Sequence, residues 1–399
     1  MERFALKYRF IARGSVDSLR RSCFLINKTE RRTDVMAYLL NEKVRDMQPY
    51  EPISGTYRIR LDANESFLEI PDHVREDMLR RIGKLHLNRY PDPLAAEVCE
   101  GFGRYYGVKP ELVTVGNGSD ELLTLLTQCI MSKGEKLVYT TPDFSMYQCY
   151  GYLAEVQCIP FAKNPDFTVD VDALAATINA EGARMVIFSN PCNPTGVGVR
   201  REEVLRLVES VPDCLVVVDE AYMEFWNQSV LDCVEQYDNL MVLKTCSKSL
   251  RMAGIRCGFA VSNKTVTNAM RAVKSPYNVN AMTQAAAATL FDYPHELDAA
   301  TKAVIASRDD LYSRMRELPM AQLCQIWFQE SHANFIYAGL PEGEAKRVFE
   351  AMKQEGVIVR CMGDRLRITC GTAEENAEVV RLLDKYVRWR GDEPNEPDR

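Results

Sequence analysis

An α/β fold with a mostly parallel sheet, followed by a smaller α+β domain, is predicted by two features of the sequence. From about residue 110 to 290, short apolar runs alternate with stretches of helical periodicity, a pattern typical of a parallel sheet covered by helices. After about Asp292, long charged helical stretches replace this alternation and indicate a second domain. The chain has 399 residues, 46% of them hydrophobic, which suffices for two domains.

The individual elements follow from apolar runs and from helical spacing. Strands of the first region are predicted at Leu112–Val115, Lys136–Tyr139, Val156–Pro160, Met185–Phe188, Leu215–Val218 and Leu240–Leu243. Helices of this region are predicted over Glu121–Thr127 and Arg201–Val208. In the second region, strands are predicted at Phe335–Tyr337, Val357–Val359 and Leu366–Thr369, and helices over Ala300–Leu318, Gly343–Gln354 and Glu374–Arg388.

Composition argues against several classes of function. A net charge of −7 argues against a nucleic-acid-binding body, and no apolar run approaches the ~20 residues that span a bilayer. The 13 cysteines are scattered, which indicates reduced thiols and a cytoplasmic protein. The four histidines are too widely spaced to predict a metal site.

The first 34 residues form a basic leader, with nine Lys/Arg against four Asp/Glu. An Arg-rich, acid-poor start is typical of a transit peptide, but a poorly ordered tail has the same composition. Residues 391–399 are polar and contain prolines, which predicts a frayed tail.

Polar motifs follow four of the predicted strands, where an open α/β sheet binds its ligands. Gly116-Asn-Gly-Ser-Asp120 comes between a strand and a helix and suits an anion at a helix N-terminus. Asn190-Pro-Cys-Asn-Pro-Thr-Gly196 predicts a rigid loop. Each of these motifs alone is also compatible with an ordinary turn.

Two charged residues at strand ends carry more information. Asp219 follows Val216-Val-Val218, and a carboxylate at the end of a buried strand is costly unless it has a positive partner, such as a protonated pyridine nitrogen. Taken alone, Asp219 could instead be the N-cap of a helix. Lys248 follows the next strand, where an amine can lose its proton and form a Schiff base. Thr245, Ser247 and Arg256 would suit a phosphate.

In this order, these residues resemble the fold-type I pyridoxal-phosphate-dependent transferases. The motifs that carry the resemblance are Asn193-Pro-Thr-Gly196, Asp219-x-x-Tyr222 and Ser247-Lys248 with Arg256. Further segments are similar to histidinol-phosphate aminotransferases, over roughly residues 45 to 388: Arg60–Ser66, Asn88–Asp92, Gly118–Leu122, Ala253–Phe259, Ala333–Ile336 and Leu366–Thr372.

The resemblance implies a role for each candidate residue. Lys248 would be the Schiff-base lysine and proton carrier, and Asp219 would keep the pyridine nitrogen of pyridoxal 5'-phosphate protonated. The other implied cofactor contacts are Tyr222 and Asn193 to the ring oxygen, Phe144 stacked on the ring, and Ser119, Asp120, Thr245, Ser247, Arg256 and the partner subunit's Tyr90 at the phosphate. The implied substrate-binding residues are Arg360, Arg367, Tyr50 and Asn64.

The resemblance also implies an architecture. A large cofactor-binding domain with a seven-stranded, mostly parallel sheet would span residues 76–290. A small domain would be built from residues 35–75 and 291–390. A homodimer with shared active sites would follow, with small-molecule substrates and neither nucleic acid nor a membrane as partner.

The implied reaction is transfer of the amino group from L-histidinol phosphate to 2-oxoglutarate, giving imidazole acetol phosphate and glutamate, a step of histidine biosynthesis. A dianionic phosphate suits two arginines, Arg360 and Arg367. Three alternatives stay open: a threonine-phosphate decarboxylase, an aromatic amino-acid aminotransferase and, from another class, a regulator that senses pyridoxal phosphate. A regulator would require an added DNA-binding domain of about 60 residues, twice the length of the leader.

Overall fold

The computed structural model describes residues 40–45, 47–49, 52–318, 327–328 and 330–387. The chain divides into two compact units, residues 1–56 and 57–399. In the described part of the first unit, one short helix, α1, covers Glu42–Arg45. The basic leader and the tail after residue 387 lie outside the described residues. No helix in the described ranges combines the length and apolarity needed to span a membrane.

A seven-stranded sheet forms the centre of the second unit. Its strands are β2 (Val113–Gly116), β3 (Lys136–Thr141), β4 (Gln157–Ala162), β5 (Met185–Ser189), β6 (Leu215–Asp219), β7 (Leu240–Thr245) and β8 (Gly258–Ser262). Their order is β2-β8-β7-β6-β5-β3-β4, with β8 antiparallel to both neighbours and the other pairs parallel. The predicted mostly parallel α/β fold is therefore confirmed.

Strand β8 has no counterpart in the sequence-based prediction. It has five residues and begins with Gly258, and the connection from β7 to β8 contains one short 3-10 turn, Ala253–Ile255, but no α-helix. The α/β alternation that reveals parallel strands is therefore missing, because an antiparallel neighbour needs no helical crossover.

Helices cover the two faces of this sheet. They are α2 (Asp72–Ile82), α3 (Ala96–Tyr106), α4 (Ser119–Leu125), α5 (Met146–Leu153), α6 (Val171–Glu181), α7 (Arg201–Ser210), α8 (Lys264–Val273) and α9 (Ala281–Phe291). Separate apolar clusters form on the two faces because alternate residues of β5, β6 and β7 point in opposite directions. Helix α4 begins two residues before the predicted Glu121 and continues as a π-turn over Leu126–Ile130.

A four-stranded antiparallel sheet has its own apolar core. Its order is β12 (Arg360–Met362), β13 (Arg365–Thr369), β10 (Phe335–Gly339) and β9 (Trp327–Phe328). The helices that follow β8 and α9 in the chain are α10 (Pro294–Glu317), α11 (Glu344–Gln354) and α12 (Ala373–Tyr386). Helix α10 starts six residues before the predicted Ala300, with Pro294 in its first turn, where proline is well tolerated.

The start of the second unit joins its end through a two-stranded parallel ladder. β1 (Ile59–Arg60) pairs with β11 (Val357–Ile358), with Ile59 opposite Val357. A hydrogen bond from Leu61 N to Ile358 O, 2.7 Å long, extends this ladder. The segment that carries Asp62 and Asn64 is thereby fixed beside the four-stranded sheet.

Candidate active site

Most of the predicted cofactor residues lie at one edge of the seven-stranded sheet. Ser189, Asp219 and Thr245 are the last residues of β5, β6 and β7, which are parallel neighbours. Lys248 follows β7 by three residues, and Asn193 lies in the loop after β5. The carboxyl ends of adjacent parallel strands thus bring together side chains that are distant in the sequence.

Asp219 is a buried carboxylate with two hydrogen-bond donors. The Tyr147 hydroxyl donates to Oδ2 at 2.8 Å, and Ala221 N donates to Oδ1 at 3.1 Å. Burial raises the pKa of Asp219 to about 6, although these two hydrogen bonds act in the opposite direction. A cation beside this carboxylate would favour its charged form. A protonated pyridine nitrogen would supply such a cation. Sequence analysis missed Tyr147, although it lies one helical turn after Phe144.

Lys248 is half-buried, and its amine faces a polar cluster. Nζ donates to the Ala63 carbonyl at 2.8 Å and lies 5.9 Å from the centre of the Tyr222 ring. The Tyr222 hydroxyl in turn accepts a hydrogen bond of 2.9 Å from Asn64 Nδ2. Burial, followed by the positive charge of Arg367, lowers the pKa of Lys248 to about 8. The neutral, nucleophilic fraction of this amine near neutral pH is therefore far larger than that of an ordinary lysine, although most of it is still protonated.

The predicted phosphate-binding residues form a cradle around the guanidinium of Arg256. Its Nη1 lies 3.4 Å from Ser247 Oγ, and its Nη2 lies 3.2 Å from Asp120 Oδ2. The hydroxyls of Ser247 and Thr245 are 3.0 Å apart. The Asp120 carboxylate also accepts from the Tyr150 hydroxyl. An anion here would therefore meet the backbone N–H groups at the start of α4 rather than that carboxylate.

Two glycines make the cradle possible. Gly118 has φ 79°, and a Cβ at this position would lie 2.6 Å from Arg256 Nη2. A Cβ at Gly258 would lie 2.4 Å from Ser119 N. Because both positions lack side chains, the Arg256 guanidinium and the Ser119 N–H can pack closely against the backbone here, an arrangement that would suit a phosphate.

The substrate-side candidates meet the cofactor-side candidates at Arg367. This arginine lies on β13 with 9% of its surface exposed. Its Nη1 donates to Asn193 Oδ1 at 2.5 Å, and its Nη2 donates to the Asp62 carbonyl at 2.6 Å. Arg360 lies directly opposite Arg367 across the β12–β13 ladder. Directly opposed residues of neighbouring strands have side chains on the same face of a sheet, an arrangement that would suit a dianion.

Besides its bond to Tyr222, Asn64 is held in place by two further neighbours. Its backbone has φ 55°, its N–H donates to Thr369 Oγ1 at 3.1 Å, and its carbonyl accepts from Asn334 Nδ2 at 3.1 Å. Of the two remaining predicted residues, one is exposed and the other is not described. Tyr90 is 80% exposed, with its ring stacked on Tyr277, and Tyr50 lies outside the described residues.

Known structures of similar fold include several aminotransferases and two decarboxylases. A histidinol-phosphate aminotransferase from Sinorhizobium meliloti, solved in complex with pyridoxal-5'-phosphate, superimposes with a TM-score of 0.75 at 21% identity, over 84% of this chain and 92% of that one. The L-threonine-O-3-phosphate decarboxylase from Porphyromonas gingivalis superimposes with a TM-score of 0.71 at 20% identity, over 82% and 99%. At these identities the likeness establishes the fold.

The lowered pKa of Lys248 predicts a pH dependence. In the cofactor-free protein, the rate of acylation of Lys248 should rise as the pH passes about 8, because only the neutral amine is nucleophilic. An ordinary exposed lysine becomes neutral near ~10.4. Peptide mass spectrometry after timed acylation at several pH values measures the acylation of Lys248 and of the exposed lysines in one sample. A Lys248 profile that coincides with that of the exposed lysines would contradict the prediction.

Sequence similarity extends over nearly all of the second unit. Residues 57–383 match the family described as aminotransferase class I and II. The histidinol-phosphate aminotransferase of Clostridium novyi is 34% identical over 350 residues, which cover 86% of this chain and 96% of the relative. That of Ruminiclostridium cellulolyticum is 31% identical over 354 residues, covering 86% and 97%. The chain belongs to the class I and II aminotransferase family.

Proposed function

We propose that this chain is a pyridoxal-phosphate-dependent aminotransferase that moves the amino group of L-histidinol phosphate to 2-oxoglutarate in histidine biosynthesis. The observation that carries the proposal is the 34% identity with a histidinol-phosphate aminotransferase that is covered over 96% of its length. The alternatives have no comparable support. They are decarboxylation of threonine phosphate, transfer of the amino group from aromatic amino acids, and a regulator that senses pyridoxal phosphate.

The residues at the edge of the seven-stranded sheet fit the cofactor. Bound pyridoxal phosphate supplies an electron sink for the carbon that bears the amino group. Asp219 would pair with the ring nitrogen, and Lys248, with its lowered pKa, would attach the cofactor and carry the substrate proton. Tyr222 and Asn193 would orient the ring oxygen, and Phe144 would stack on the ring.

The cofactor phosphate would occupy the cradle around Arg256. Ser119 and Asp120 would contribute backbone N–H groups, and Thr245 and Ser247 would contribute hydroxyls. The two glycines that line the cradle support this assignment, because a side chain at either position would fill it.

The substrate phosphate would bind Arg360 and Arg367, with Asn64 beside them. Arg367 already donates to Asn193 and to the Asp62 carbonyl, which fixes the direction of its guanidinium. Arg360 is half-buried and lies opposite it on β12. The same pair would bind a carboxylate of 2-oxoglutarate or glutamate in the second half of the reaction. Tyr50 remains a sequence-based candidate.

The domain division within residues 57–399 follows the same reasoning. We propose a large domain over residues 76–290 and a small domain that includes residues 291–390. Two sheets with separate apolar clusters support this division. A cytoplasmic location is supported by the eleven cysteines of the described ranges, all of which are free thiols.

A homodimer with shared active sites is supported by the surface around Tyr90. The exposed Tyr90 and Tyr277 rings stack with their centres 4.3 Å apart. The segment that follows Tyr90 is fixed to the body of the protein by hydrogen bonds from Gln284 to the Asp92 carbonyl and from Lys274 to the Pro93 carbonyl. A rigidly held aromatic side chain in solvent suits contact with a second subunit.

The reaction is tested with the cofactor-loaded protein and two amines. L-Histidinol phosphate with 2-oxoglutarate should yield glutamate, measured with glutamate dehydrogenase, and Lys248→Ala should abolish the yield. O-Phosphothreonine serves as the comparison substrate. Carbon dioxide released from phosphothreonine, without glutamate from histidinol phosphate, would replace the proposed function with decarboxylation.

Arg360 is tested through the KM for histidinol phosphate. Arg360→Gln should raise this KM about tenfold, because a charge-assisted hydrogen bond contributes about 1.5–3 kcal/mol, while kcat should change little. Arg365→Gln is the matched control, since it removes one charge from β13 and its guanidinium lies 5.0 Å from the centre of the Phe167 ring. Equal KM values for wild type and Arg360→Gln would remove Arg360 from the site.

Shared active sites predict complementation between two inactive variants. Tyr90→Ala should impair the partner's site, and Lys248→Ala should inactivate its own. When both are coexpressed, a mixed dimer regains one complete site, so random pairing should restore about a quarter of the wild-type activity. Two different affinity tags allow the mixed dimer to be isolated. Isolated mixed dimers without activity would contradict site sharing.

A further inference from the structure

A buried carboxylate outside the predicted site lies just beyond the end of β3. The Asp143 side chain is 1% exposed, and its partner Lys163, just beyond β4, is 2% exposed. Lys163 Nζ lies 3.2 Å from Asp143 Oδ2. Because β3, β4 and β5 are adjacent and parallel, their ends bring both residues next to Ser189 at the end of β5.

All groups hydrogen-bonded to the Asp143 carboxylate are donors. Oδ1 accepts from Phe144 N at 2.8 Å and from the Ser189 hydroxyl, and the Ser189 N–H lies 3.3 Å from both oxygens. Oδ2 accepts from Thr140 Oγ1 at 2.5 Å and from Lys163. Only an ionised carboxylate presents two acceptor oxygens, so an amide would direct its NH₂ group at one of these sets of donors.

Two of these contacts lead directly to predicted cofactor residues. Phe144, which carries the proposed stacking ring, donates a hydrogen bond from its backbone N–H to the side-chain carboxylate of Asp143. On the other side, Ser189 Oγ accepts from Asn193 N at 3.0 Å, and Asn193 is the proposed contact of the ring oxygen. One carboxylate thus connects the residue proposed for a face of the cofactor ring with the residue proposed for its edge.

Lys163 makes the burial of this carboxylate tolerable. Burial alone would lower the pKa of Lys163, but Asp143 and Cys192 raise it above its ordinary value, so the residue is a cation. Its Nζ also lies 2.8 Å from Cys192 Sγ, one residue before Asn193. The ion pair therefore holds the end of β5 through Ser189 and the following loop through Cys192.

We propose that Asp143, neutralised by Lys163, is a positioning residue that fixes Phe144 and Asn193 relative to each other and thereby sets the orientation of the cofactor ring. This inference rests on the proposed cofactor site and is independent of the proposed amine substrate. A purely structural ion pair would stabilise the fold without affecting the cofactor, and the two roles can therefore be separated by experiment.

The test compares Asp143→Asn with a buried ion pair elsewhere. In Asp143→Asn, the dissociation constant of pyridoxal phosphate should rise about tenfold, the effect of losing roughly 1.4 kcal/mol of hydrogen bonding. The visible circular dichroism of the bound cofactor should also change, because that signal depends on ring orientation. Ser189→Ala should change both quantities in the same direction.

Glu224→Gln is the matched control. Glu224 is a buried carboxylate that accepts from Lys244 at 2.9 Å and from the Tyr106 hydroxyl at 2.9 Å, without a bond to Phe144 or Asn193. The Glu224→Gln variant should have a lower melting temperature and an unchanged circular dichroism signal of the bound cofactor. If Asp143→Asn does not fold, the double variant Asp143→Asn with Lys163→Met removes the unpaired ammonium and permits the same measurements.

The outcomes separate this inference from the proposed function. Wild-type affinity and dichroism in Asp143→Asn or in the double variant would overturn the positioning role, whatever the melting temperature. A wild-type protein that did not bind pyridoxal phosphate would overturn the cofactor site and this inference together. Weaker cofactor binding in Asp143→Asn, with no glutamate from histidinol phosphate in the wild type, would support the positioning role and reject only the substrate.

Discussion

Charge that is buried at the carboxyl edge of the seven-stranded sheet is the constraint on which the rest of the site depends. Asp143, Lys163, Asp219 and Arg367 are each less than a tenth exposed as side chains or residues, and each must be compensated. The sheet meets this requirement because adjacent parallel strands end at the same edge. The loops after β3 and β5 then supply donors and acceptors at short range.

The compensation differs between the two aspartates. Asp143 has a lysine and several hydrogen-bond donors around it, so its charge is balanced within the protein. Asp219 has one tyrosine hydroxyl and one backbone N–H, and burial raises its pKa to about 6. The first arrangement stabilises the structure, whereas the second would suit the cationic ring nitrogen that we propose beside Asp219.

Sequence reasoning located the residues at the ends of buried apolar runs and missed those whose partners come from other strands. Asp219 and Lys248 could be predicted because Asp219 is the last residue of β6 and Lys248 comes three residues after β7, two strands that are recognisable by composition. Lys163 could not be predicted, because its pairing with Asp143 depends on which strands are neighbours, and β4 is an edge strand without a fully buried residue. Strand β8 was missed because its antiparallel direction leaves no alternation in the sequence.

The hydrogen bonds between Asn64 and Thr369 join residues 305 positions apart in the chain. During synthesis, the segment from Ile59 to Asn64 emerges from the ribosome long before β11 and β13, its partners in the folded unit, have been made. Contacts of such sequence separation form late, since the intervening chain must first be ordered. A nascent chain that has already completed the seven-stranded sheet therefore still lacks the residues proposed to bind the substrate, and truncation before β13 leaves a protein without Arg367.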